Sequence, residues 1–194
     1  MKLGDRYLVW RLRRNDRAAC RELIERHHGM VFGYLRGLGA YHALAEDLTQ
    51  ETFLQAWRSI DRLREAASLR SWLIAIARNE FLQSVRVKVL PVVELDDSSD
   101  VVDPSAGTDT RFEQHERDRK TRHAVQQLEL TLRETIALHY FEGFPLREVA
   151  TITGVPAGTA KSRLNRALEC LRELLDQENE HVERAGGDAL AGTR

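Results

Sequence analysis

Between two blocks of helical periodicity lies a stretch that can belong to neither, and this break limits the folds open to the chain more than any other feature. Residues 89–110, VLPVVELDDSSDVVDPSAGTDT, carry two prolines and show no helical period. From Pro91 to Asp109 there are six acids (Glu94, Asp96, Asp97, Asp100, Asp103 and Asp109) and no Lys or Arg. Such a segment lacks the apolar surface to build a core and reads as a flexible linker. Each flanking block must therefore bury its own apolar face.

The N-terminal block is helical by pattern. Ala19, Leu23, His27, Met30, Val31, Tyr34, Leu35 and Leu38 recur at gaps of three and four, one face of an α-helix over about 16–38. Asn15 or Asp16 can cap its start and Gly39 can close its end. A second helix is expected over about 44–60, with Leu44, Leu48, Phe53, Ala56, Trp57 and Ile60 inside, and a third over about 69–87, with Trp72, Leu73, Ile76, Ala77, Phe81 and Leu82 inside. Residues 61–68 break the period as a loop. No strand-like alternation and no proline occurs before Leu90, so the expected fold is all-α: two small helical domains joined by the acidic linker. The expected boundaries are 1–88, a linker over 89–118, a second domain over 119–176, and a frayed tail over 177–194.

In the second block Val125, Leu128, Leu132, Ile136, Ala137, Tyr140 and Phe141 form an apolar stripe. After it comes LREVATITGVPAGTAKSRLNRALECLREL. Leu146, Val149, Ala150 and Ile152 suit a short helix, Gly154 permits a tight turn, Val155 can point into the core, and Pro156 can start the next helix. There Leu164, Leu168 and Leu171 face inward, leaving Thr159, Lys161, Ser162, Arg163, Asn165 and Arg166 mostly outside. These donors suit base edges and phosphates of DNA. Four bases stand against one acid between Ala157 and Arg172, so the net charge of −1 hides an acidic middle and a basic segment after it.

Other classes fare worse. Two distant cysteines, Cys20 and Cys170, make no disulfide framework and fit a reducing cytoplasm. His27, His28 and Cys20 are too few for a metal site, and no cofactor is expected. No apolar run is long enough to span a membrane. A nuclease or phosphotransferase lacks a carboxylate cluster, a phosphate loop or a nucleophile arrangement. A stand-alone regulator of duplex DNA would explain only the second block.

Both blocks together resemble the extracytoplasmic-function branch of the sigma-70 family. Residues 45–79 resemble its region 2 through Asp47, Gln50, Glu51, Phe53 and Trp57 and the run Trp72 to Asn79. Residues 132–174 resemble region 4 through YFEG, EVA and GTAKSRL. The chain departs from the pattern in LELTLRE, which lacks a Leu-Pro pair, in Ala160 where Val is usual, and in Leu69 where an aromatic is common. The resemblance implies a promoter-specificity subunit of RNA polymerase with no catalysis of its own. It implies that Asp47, Gln50, Glu51 and Gln55 dock on the β′ clamp helices. It further implies that Ser68, Arg70, Arg78 and Asn79 read a melted −10 element, Asn79 lining the pocket for a flipped base, with Arg86 a weaker candidate. Thr159, Lys161, Ser162, Arg163, Asn165 and Arg166 would read the −35 element, and region 4 would meet the β flap. Core polymerase, promoter DNA and an anti-sigma factor are the implied partners. From the residues alone, Arg70 and Arg78 fit salt bridges to the preceding helix nearly as well as phosphates, and Trp72 fits core packing better than stacking on DNA.

Overall fold

The computed structural model describes residues 3–63, 69–87 and 120–191, and no strand occurs among them. Helix α1 is Leu3–Leu12, α2 is Arg17–Gly37, α3 is His42–Ser59, and a 3-10 turn, Ile60–Arg62, ends the third. Helix α4 is Leu69–Val87. A helical segment over 120–127, α5, opens the second half. Helix α6, Leu130–Ile136, then widens into a π turn, Ala137–Phe141, before α7, Leu146–Thr153, and α8, Ala157–Ala191. The linker and Ser68 lie outside the described residues.

Local chemistry accounts for most of these ends. Asp16 is the N-cap of α2, its Oδ1 accepting from the backbone N–H of Ala18 at 2.8 Å and of Ala19 at 3.4 Å. Arg11 ties this cap to the neighbouring helices, bonding Asp16 at 2.7 Å and Glu22 at 2.8 Å. Beyond α2, Gly39 adopts φ +96° and the Ala40 N–H bonds back to Leu35 O. Gly154 sits at φ 70°, ψ 30° between α7 and α8, the left-handed turn expected of a helix-turn-helix.

Three elements differ from the sequence reading. Helix α1 precedes the first expected helix. Its buried Leu8, Val9 and Leu12 are flanked by exposed Tyr7 and Trp10, so no clean face marks it, and packing against α2 decides it. Tyr140 and Phe141 do not extend the apolar stripe: they are 56% and 49% exposed. The Glu142 N–H bonds Ala137 O, five residues back, and this wider turn rotates both rings out of the face begun by Ile136. Helix α8 continues past Gln177 to Ala191, across Gly186 and Gly187, where a frayed tail is expected.

The two halves do not stand apart. One buried cluster runs from Leu8, Leu35, Leu73 and Ile74 in the first half into Ala137, Leu138, Phe144, Val149, Ala150 and Ala160 in the second. The π turn packs on α2, and α7 packs on α4. Each fully buried Leu or Ile here contributes roughly 1.5–3 kcal/mol. A separate core of Ala124, Val125, Leu128, Ile136, Leu164, Ala167 and Leu171 holds the second half together on its other side.

Candidate polymerase and promoter interface

On α3, Asp47 and Gln50 are exposed while Glu51 and Gln55 are half-buried. Buried Ala45, Leu48, Thr49, Thr52, Phe53 and Ala56 turn this helix so that the polar face looks outward. Glu51 pairs with Arg58 at 3.6 Å. Sequence reading misses the neighbour that gives the face its character: Leu54 is half exposed, four residues from Gln50. Leu54, Gln50, Phe53 and Trp57 on α3 line an apolar groove of about 460 Å³ with Leu23, Ile24 and His28 on α2. Spacing of i and i+4 marks Leu54 in retrospect. The face therefore offers a hydrophobic slot with polar groups beside it, an arrangement suited to a helical partner.

On α4, Asn79 is exposed, whereas Arg70 and Arg78 are engaged by the second half. Arg78 Nε donates to Glu134 Oε1 at 2.6 Å and its Nη2 to Oε2 at 3.4 Å. Tyr34 Oη donates to the same Oε1 at 2.9 Å. Tyr34 is fully buried and Glu134 nearly so. Burial, and then the Glu134 charge, push the Tyr34 phenol well above its usual range. Arg70 Nη2 donates to Glu142 O at 2.9 Å, and its guanidinium lies 4.9 Å from the Phe144 ring centroid. Both arginines are thus in polar contacts, as the residues alone allow, but across the molecule and not to the preceding helix. The contacts between the halves occupy two groups for which the family resemblance implies DNA contact.

The approach is close because α2 presents glycines to it. Glu142 Oε1 lies 3.4 Å from where a Cβ on Gly33 would stand, and the Ala137 methyl 3.2 Å from one on Gly37. Arg133 closes the seam from the other side, donating to Leu38 O at 2.9 Å, to Leu128 O at 2.9 Å and to Gln126 O.

Burial raises the Glu142 carboxyl to about 7, with Arg70 pulling it back. A carboxyl that binds its proton more tightly when folded contributes stability below its unfolded pKa. That contribution fades as pH rises through about 7. Urea unfolding is expected to show stability falling between about pH 4.5 and 7, by at most ~3 kcal/mol from this group. Glu142→Gln should flatten that slope. A variant with the wild-type slope refutes the assignment.

In the recognition helix α8, Lys161, Ser162, Asn165 and Arg166 are exposed, and Thr159 and Arg163 half-buried. Ala160, Leu164, Ala167 and Leu171 hold the opposite side in the two cores. Ser162 Oγ donates to Thr159 O at 2.9 Å, and Arg166 stands 3.4 Å from Glu169. Ala160, smaller than the usual Val, is fully buried, and the left-handed turn at Gly154 stands ahead of it. Among the described residues no cluster of His, Cys, Asp or Glu could hold a metal ion, and no helix is long and apolar enough to cross a membrane.

An outward polar face on α3 and a glycine-turned helix pair, α7 and the basic helix α8, are the two parts of a sigma-70-type specificity subunit. Residues 23–89 match the family model of Sigma-70 region 2 and residues 118–171 that of Sigma-70, region 4. The chain is 32% identical to the RNA polymerase sigma factor CarQ of Myxococcus xanthus over 171 residues, 86% of this chain and 95% of that protein. It is 31% identical to the ECF RNA polymerase sigma factor SigL of Mycobacterium tuberculosis over 84% of this chain and 92% of that one. Its fold matches CnrH, solved in complex with the cytosolic domain of CnrY, with a TM-score of 0.67 over 89% of this chain and 97% of that one at 23% identity. It also matches RpoE of Bartonella quintana, solved with the anti-sigma factor NepR, with a TM-score of 0.62 over 80% and 96% at 26% identity. The chain belongs to the extracytoplasmic-function sigma factors of the sigma-70 family.

Proposed function

We propose that the chain joins core RNA polymerase through the α3 face of Asp47, Gln50, Glu51 and Gln55 with Leu54 as its apolar anchor, and then reads a promoter with both halves. Arg70, Arg78 and Asn79, with Ser68, take the melted −10 strand. Thr159, Lys161, Ser162, Arg163, Asn165 and Arg166 take the −35 duplex in the major groove. The carrying observation is the outward basic set on α8, whose apolar side is fully spent on packing. The chain supplies specificity, polymerase supplies catalysis, and the place of action is the cytoplasm.

The halves must part before this happens, because Glu134 and the Glu142 carbonyl hold the arginines that would meet phosphate. For Arg78 the exchange of carboxylate for phosphate conserves a charge-assisted bond, and for Arg70 it replaces a neutral carbonyl with a charged oxygen. An anti-sigma factor that favours the closed form would inhibit by population shift. The structural neighbour RpoE was solved in complex with an anti-sigma factor, NepR, which supports a partner of this kind.

The test is transcription by core polymerase supplied with this chain on a promoter library. Promoter-dependent initiation is expected. Arg163→Ala or Arg166→Ala should each weaken −35-dependent binding roughly tenfold to a hundredfold, at about 1–3 kcal/mol per base contact. Asp47→Lys should abolish polymerase association while leaving −35 duplex binding intact. A chain that never joins core polymerase refutes the assignment.

A further inference from the structure

Helix α1 carries a feature that none of the assigned surfaces uses. Tyr7 and Trp10 are 61% and 48% exposed, one turn apart, with rings stacked at 5.8 Å and 18°. The Arg14 guanidinium lies 4.2 Å from the Trp10 ring centroid, and that of Arg11 5.7 Å from the Tyr7 ring. The underside of the helix, Leu8, Val9 and Leu12, is buried, so the rings are not needed to hold α1 in place. Arg6, Arg13, Arg14, Arg17 and Arg21, on α1, the turn after it and the start of α2, are exposed. Between residues 4 and 21 the chain has six arginines against Asp5 and Asp16, both half-buried, and Asp16 is already held by Arg11. Rings interleaved with guanidinium groups in a positive field are the composition of a single-strand nucleic-acid platform. Bases stack on the planes and phosphates meet the charge.

Position supplies the second observation. Arg13 donates to Leu63 O, tying the end of α1 to the chain just before the segment assigned to the −10 element. The geometry points to α1 as a continuation of the single-strand path: Tyr7, Trp10 and Arg14 stack bases flanking the −10 element, and Arg6, Arg17 and Arg21 hold their phosphates. This rests on the promoter-reading role proposed above and extends it to a helix outside the matched region 2 span. Single-stranded DNA is favoured over an acidic protein because ring planes suit base planes, while an acidic peptide has no use for them.

The full-length chain is titrated with a labelled 20-nucleotide single-stranded DNA of mixed sequence, its duplex, and a poly-glutamate peptide. The single strand is expected to quench Trp10 fluorescence, and Trp10→Phe should abolish that quenching while keeping affinity within about threefold. Trp10→Ala and Arg14→Ala should each weaken binding by roughly tenfold, as loss of one stacked base does. Trp10→Ala that binds the strand like the wild type overturns the proposal. So does equal Trp10 quenching by the duplex, or by poly-glutamate, which would make α1 a protein-docking surface. Joining of the wild-type chain to core polymerase is measured separately. Failure there removes the promoter role and leaves the strand titration readable, whereas failure of the titration alone removes only the α1 platform.

Discussion

Arg78→Ala and Glu134→Gln are expected to open the molecule alike and to part company in transcription. The Glu134 carboxylate is 4% exposed and accepts from Arg78 and Tyr34. Removing Arg78 leaves a buried charge with a phenol as partner, a change that costs about 3–5 kcal/mol. The chain has a cheaper outlet than unfolding, since separating the halves returns Glu134 to water. Small-angle scattering should therefore show a larger radius with helix content kept. Glu134→Gln removes the charge and leaves Arg78 free for DNA, so it should open the chain and raise polymerase association and initiation several-fold. Arg78→Ala should open it and lower initiation, because the same guanidinium is lost from the −10 strand. A Glu134→Gln protein as compact as the wild type, with unchanged polymerase association, would sink the latch.

Gly39→Ala is expected to be among the most destabilising single-methyl changes in the chain. Gly39 has φ +96°, and a Cβ there would lie 2.6 Å from Arg133 Nη1. The left-handed backbone alone costs an alanine roughly 1–2 kcal/mol. Displacing the guanidinium costs more, because Arg133 holds carbonyls at the ends of α2 and α5 and part of the group is buried. Urea unfolding should show a loss of about 3–5 kcal/mol. In an Arg133→Ala background the same substitution should cost only the backbone strain, which a double-mutant cycle reads. A loss below about 0.5 kcal/mol in the native background would contradict the crowding.

Much of this site is legible in the amino-acid order because its parts are local. The period of three and four places α2, α3 and α4 within two residues of their observed ends. Gly154 and Pro156 mark the helix-turn-helix because a left-handed turn and a fixed φ are properties of single residues. The outward set on α8 follows from the inward Leu164 and Leu171 by geometry alone.

What depended on distant packing was not legible in this way. Helix α1 has no clean stripe and exists by leaning on α2; Tyr140 and Phe141 leave their stripe because a π turn inserts one residue. The pairing of Arg78 with Glu134 joins residues 56 apart, and that of Tyr34 with Glu134 residues 100 apart. Sequence alone determined α2, α3, α4 and the helix-turn-helix, the faces these bury and where the basic recognition surface lies, since i to i+4 neighbours set those. Only tertiary structure decided that the two halves close on each other and engage Arg70 and Arg78, because a charge's partner across the fold is chosen by packing, and no local spacing encodes it.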